Sequence, residues 1–66
     1  MTVQSDLKQA IASCEAAKGS YSLMAEATED QQAQQMFDQM SSEVDRHIDY
    51  LNDRLSSVNE NNPLNS

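Results

Sequence analysis

The chain has 66 residues, and its 11 acidic and 4 basic side chains give a formal net charge of −7. So short a chain forms one small domain, and its negative charge repels nucleic-acid backbones and anionic membranes. The sequence holds neither an apolar run of the ~18 residues that a membrane span needs nor a basic-then-apolar leader. We therefore expect a soluble, cytoplasmic protein that binds no nucleic acid and inserts into no membrane.

The first predicted helix covers about residues 3–27. Thr2 or Ser5 suits its N-cap, because a side-chain oxygen there accepts a free backbone N–H. Apolar or small residues then recur at steps of three and four, the spacing of one helix face. They are Val3, Leu7, Ala10, Cys14, Ala17, Tyr21 and Met24. Gly19 is unfavourable inside a helix, so it indicates a close helix contact or a slight bend.

The second predicted helix covers about residues 31–59. Asp30 suits its N-cap, and Pro63 prevents continuation beyond a flexible tail at residues 61–66. Its apolar stripe has the same three- and four-residue spacing. The stripe comprises Ala33, Met36, Phe37, Met40, Val44, His47, Ile48, Leu51, Leu55 and Val58. Because the connection between the helices is short, we expect them to lie side by side and antiparallel.

These elements predict an all-α fold in which residues 1–60 form an antiparallel two-helix hairpin. Two helices cover only one side of each other, so part of each stripe stays exposed. One cysteine cannot form an intramolecular disulfide, and a homodimer that closes a four-helix bundle would cover the stripes. The residues expected in the core or interface are Leu7, Cys14, Tyr21, Met24, Phe37, Met40, Val44, His47, Leu51 and Leu55.

Glu43 and His47 are the residues that come nearest to a chemical site. They stand four apart on one helix face, where they could bind a metal ion with Glu15 from the first helix. A lone histidine more often packs in a core, and its apolar neighbours favour an uncharged, buried His47. Cys14 has no nearby group that would activate its thiol. We therefore expect no enzyme activity, no cofactor and no metal, with a metal site at Glu43, His47 and Glu15 as the alternative.

Part of the chain resembles the helical hairpin of ferritin-like and rubrerythrin-like proteins. The resemblance lies in residues 21–30, in Met36 and Phe37, and in residues 46–51. In that pattern a helix-one glutamate lies seven residues before a tyrosine, and helix two carries Glu-x-x-His. Here Cys14 and Val44 stand at the two glutamate positions. The resemblance thus implies the hairpin, with the metal ligands largely lost except His47.

A second resemblance spans nearly the whole chain. Residues 1–9, the length and the Asn-Pro-Leu-Asn ending are similar to a short uncharacterised family, a domain of unknown function, of spore-forming Firmicutes encoded beside spoVA-type genes. It implies a protein of the cytoplasm or spore core with a spore-associated partner and a role in sporulation or germination. Two hypotheses result: a non-enzymatic, self-associating interaction module, or a degenerate ferritin-like metal-binding protein.

Overall fold

The computed structural model describes residues 2–61, without the side chains of residues 60 and 61. Helix α1 spans Val3–Ala27 and helix α2 spans Gln31–Asn61. The two helices pack against each other in an antiparallel hairpin that measures 52 × 17 × 11 Å. The expectation of an all-α fold with two packed helices is confirmed. Helix α2 extends past the expected end near residue 59, and the rest of the expected tail, residues 62–66, lies outside the described residues.

Short polar side chains cap the start of both helices. The Thr2 hydroxyl accepts the backbone N–H of Ser5 at 3.0 Å, and an Asp30 carboxylate oxygen accepts that of Gln32 at 3.2 Å. The Thr28 hydroxyl accepts the N–H of Asp30 at 3.2 Å inside the turn. These bonds satisfy donors that a helix start leaves free, so the turn and both helix starts are fixed by local sequence.

The helices meet along a seam, defined here as the buried and half-buried residues that face the opposite helix at alternating three- and four-residue steps. On α1 and its C-cap residue, Thr28, the seam comprises Gln4, Leu7, Ile11, Cys14, Lys18, Tyr21, Ala25 and Thr28. On α2 it comprises Phe37, Ser41, Val44, Ile48, Leu51, Leu55 and Val58. Its most buried members are Ala25, Ser41 and Val44, and the hydroxyls of Ser22 and Ser41 hydrogen-bond at 3.2 Å. Small residues therefore let the helices approach closely near the turn.

Two residues expected in the core or interface lie outside the seam. Met24 is 46% exposed, and His47 is exposed as well. In each case the seam holds the next residue along the chain, Ala25 on α1 and Ile48 on α2. One residue step turns a side chain by about 100° around a helix, so Met24 and His47 turn away from the opposing helix. His47 is therefore exposed in the hairpin and does not pack against α1. Its expected place in a core or interface stays a prediction about an assembly of two copies.

The other residues expected in the core or interface lie in the seam or beside it. Val44 is buried, and the rest are half-buried. These half-buried residues are Leu7, Cys14, Tyr21, Phe37, Met40, Leu51 and Leu55.

Gly19 lies at an exposed position of α1, where an added Cβ would meet no atom within 4 Å. The structure therefore has no close helix contact at this residue. Its φ is not positive, so alanine fits the same backbone. We expect Gly19→Ala to raise the free energy of unfolding by about 0.5–1 kcal/mol, because alanine restricts the unfolded chain. Urea unfolding followed by circular dichroism measures this change, and a loss of stability would contradict the open space around Gly19.

Lys18 and Asp45 form an ion pair across the seam, with 2.7 Å between Nζ and Oδ1. The hydrogen bond to Asp45, then the charges of Asp45 and Glu15, raise the pKa of Lys18 above its ordinary value of 10.5. A pKa raised by folding means that the contribution is complete below 10.5 and is lost as pH rises through the folded value.

We therefore expect wild type to be more stable than Lys18→Gln near pH 8, by a small margin because both side chains are half-exposed. This margin should shrink as the pH approaches about 12, above the ordinary pKa of lysine. Urea unfolding of both proteins at each pH measures the margin. A margin that stays constant with pH would contradict a role for the lysine charge.

Candidate interaction surface

The hairpin has two broad faces, one on each side of the seam. The Ser22–Ser41 hydrogen bond and the Lys18–Asp45 ion pair lie towards the same face. Positions seven residues apart share a helix face, so the neighbours of these pairs can be assigned from the helical repeat. This face, called the polar face below, contains Lys8, Glu15, Ser22, Glu26, Asp38, Asp45 and Asn52. Most of its side chains are charged, as expected for a surface in contact with water.

The opposite broad face, called the apolar face below, is different in composition. On α1 it comprises Ala10, Ser13, Ala17, Ser20 and Met24. On α2 it comprises Ala33, Met36, Met40, Glu43, His47, Tyr50 and Arg54. Met36 is 55% exposed and Tyr50 is 77% exposed. Large apolar side chains that share one exposed face mark an interaction surface.

The core of the hairpin is thin. Within residues 2–59, whose side chains are described, no large side chain is fully buried, and the only buried apolar residues are Ala25 and Val44. Phe37 and Leu51, the larger seam residues, are only half-buried. A chain of this size gains only ~3–5 kcal/mol from one core, so an incompletely covered seam leaves little stability in reserve. Covering the apolar face would add the burial that the hairpin lacks.

Glu43, Arg46, His47 and Tyr50 line a shallow depression of about 290 Å³ on the surface of α2. Glu43 and His47 thus lie one turn apart on the apolar face. Glu15, the third residue of the alternative metal set, lies near Lys18 on the polar face. Among the described residues, no three His, Cys, Asp or Glu side chains come together as a ligand group. The fold therefore separates Glu15 from the Glu43–His47 pair.

Met36, Tyr50 and Arg54 were not predicted to share one surface, although their spacing indicates a common helix face. The residues Met36, Met40, Glu43, His47, Tyr50 and Arg54 follow one another at alternating steps of four and three. This row of α2 lies beside the seam and parallel to it. Only the position of α1 shows which of these two adjacent rows is covered.

The fold and the surface define a small all-α protein, a two-helix hairpin with a thin seam and one exposed apolar face. No described helix is long and apolar enough to cross a membrane. The family described as "Protein of unknown function (DUF1657)" matches residues 7–55, and the chain belongs to this family. The match includes the turn, most of the seam and all of the apolar face. No curated protein and no solved structure matches the chain.

Proposed function

We propose that this protein is a non-enzymatic interaction module that binds a second copy of itself through the apolar face and closes a four-helix bundle. The observation that supports this most strongly is the exposure of Met24, Met36 and Tyr50 on a hairpin whose own buried apolar residues are Ala25 and Val44. A second copy presents the same surface, and a two-fold dimer buries both surfaces at once.

The dimensions of the hairpin fit such a dimer. Its broad side measures 52 × 17 Å. A stable interface of ordinary size covers ~800 Å² on each partner, which is about the area of this side. Apolar burial stabilises by ~25 cal/mol per Å², so even partial coverage adds several kcal/mol before the cost of association. The apolar face is therefore large enough to hold a dimer together.

Metal binding receives less support. A bundle metal site needs several inward-facing ligands that converge, and Glu15 lies on the other broad face from Glu43 and His47. The proposed module therefore uses Glu43 and His47 as part of an interaction surface and needs no cofactor.

The setting of the module is inferred from the resemblance to the short family of spore-forming Firmicutes. This resemblance supports a location in the cytoplasm or spore core and a role in sporulation or germination. In that setting the dimer would dock to a spore-associated protein. The chain supplies the assembly and the partner supplies any chemistry.

The proposal predicts that folding depends on protein concentration. Association stabilises the folded chain by mass action, so the thermal midpoint of the helical signal should rise as the concentration rises from about 1 to about 100 μM. Circular dichroism in cells of different path length measures this midpoint. A cooperative transition with the same midpoint at every concentration would contradict self-association.

A further inference from the structure

We propose that the two copies pack with their turns at opposite ends, so that α2 lies antiparallel to the partner's α2 and Glu43 pairs with the partner's Arg54. This inference rests on the proposed function, since it needs the apolar face to bind a second copy. It specifies the orientation and the contacts of that dimer.

The first argument is the spacing of one row on α2. Glu43, His47, Tyr50 and Arg54 follow one another at steps of four, three and four. Alternating steps of this kind read the same from either end, so the spacing permits several antiparallel registers of the row. In the register that pairs opposite charges, Glu43 faces the partner's Arg54, and His47 faces the partner's Tyr50. The two-fold axis then passes between His47 and Tyr50.

The second argument is the charge of this row. Among the described residues neither Glu43 nor Arg54 takes part in an ion pair, and the Lys18–Asp45 pair lies towards the other face. Glu43 and Arg54 are eleven residue steps apart, which is about 16 Å of helix, so the two side chains cannot pair within one chain. The antiparallel match gives both charges an opposite partner, and it does so twice in the dimer.

The third argument is that a row on α1 is compatible with the same two-fold axis. Ala10, Ser13, Ala17 and Ser20 occupy the apolar face at steps of three, four and three, again the same in both directions. Their midpoint is near residue 15. The contacts of Lys18 with Asp45 and Ser22 with Ser41 place residue 15 of α1 beside residue 48 of α2. The midpoints of the α1 row and the α2 row thus lie at the same position along the hairpin. One two-fold axis can therefore relate both rows to their copies in the partner. The small side chains on α1 allow the partner's α1 to approach closely.

The fourth argument is the charge distribution along the hairpin. Residues 19–45, which contain the turn, include six acidic residues and no lysine or arginine. The six are Glu26, Glu29, Asp30, Asp38, Glu43 and Asp45. All four basic residues, Lys8, Lys18, Arg46 and Arg54, lie outside this segment. A dimer with both turns at one end would bring the two acidic segments together, whereas opposite turns keep them apart.

A charge exchange tests the pairing. Glu43→Arg and Arg54→Glu, made singly, place like charges opposite each other at two places in the dimer. Each should weaken dimerisation at least about tenfold, measured by sedimentation equilibrium. The double variant should return to within about threefold of wild type, because the exchanged charges meet again across the two-fold axis.

Matched controls use the polar face. Asp38→Arg and Lys8→Glu make the same charge changes at exposed positions on the opposite side of the hairpin from the apolar face. They should leave dimerisation within about threefold of wild type, because an exposed charge outside the interface contributes little. Circular dichroism of each variant checks that the hairpin still forms.

The outcomes separate this inference from the proposed function. A wild-type dimer that neither single variant weakens, or that both weaken without recovery in the double variant, would overturn the pairing but leave self-association intact. A wild-type chain that stays monomeric would overturn both.

A distance measurement tests the orientation without altering the row. A spin label at Glu29→Cys, in a Cys14→Ala background, marks the turn of each copy. Opposite turns should place the two labels near the 52 Å length of the hairpin. A distance between the two labels of less than about half of that length would overturn the antiparallel arrangement.

Discussion

Phe37→Ala is expected to lower the free energy of unfolding by about 2–4 kcal/mol per subunit, the largest effect of a single truncation in this chain. Phe37 lies in the seam beside the turn, where it is half-buried against α1. Removing the ring takes away the apolar area that it buries against α1, and two rigid helices cannot close the gap that it leaves. Leu51→Ala, farther from the turn, should cost about 2 kcal/mol for the same reason. Urea unfolding followed by circular dichroism at one fixed protein concentration measures both changes.

Gln34→Ala is the control for these two variants. Gln34 is exposed on α2, one turn before Phe37. Its truncation should change the free energy of unfolding by no more than about ±0.5 kcal/mol. Equal effects at residues 34, 37 and 51 would mean that the packed side of α2 lies elsewhere.

Ser13→Glu is expected to weaken dimerisation about 100-fold, which corresponds to about 2.7 kcal/mol. Ser13 is exposed in the hairpin and lies near the centre of the apolar face. A carboxylate there loses water when the second copy binds, and it finds no cation on the small-residue row of the partner's α1. The dimer carries this cost twice. Sedimentation equilibrium at several concentrations measures the dissociation constant.

Ala12→Glu is the matched control for Ser13→Glu. Ala12 is also exposed, but it lies on the outer side of α1, away from the apolar face. It adds the same charge to the same helix one residue away. If the dissociation constant shifts equally in both variants, either the interface lies elsewhere or the effect comes only from the added net charge. Both results would contradict an interface at Ser13.

The helices and the turn were predictable because local residues specify them. The caps at Thr2 and Asp30 and the hydroxyl of Thr28 act within three residues of their own position. A three-residue turn between two long helices that each carry an apolar stripe then favours packing side by side. Sequence periodicity, caps and turn length therefore sufficed for the hairpin.

The rotation of each helix about its axis was harder to predict. On α1 the rows through Ala10 and Ala17 and through Ile11 and Lys18 both have the spacing of a helix face. Alanine looks like a core residue and lysine does not, yet Lys18 lies at the seam, where its ammonium group reaches Asp45. Such a contact joins residues far apart in sequence. The spacing of α1 alone therefore fits two rotations that differ by one residue.

The same ambiguity in helix rotation explains why the position of His47 was not predicted. His47 and Ile48 both continue the stripe of α2, and the larger apolar gain from Ile48 places it against α1. His47 then falls on the apolar face beside Tyr50. This surface could not be predicted from one sequence, because its residues become neighbours only once the rotation of both helices is known.

The most direct test of self-association is sedimentation equilibrium of the unmodified chain at neutral pH. The chain has a mass of 7.4 kDa, and the apolar face predicts a species of twice that mass at micromolar concentration that dissociates on dilution with loss of helix. A single species of 7.4 kDa that stays fully helical and unfolds cooperatively over the same range would contradict it.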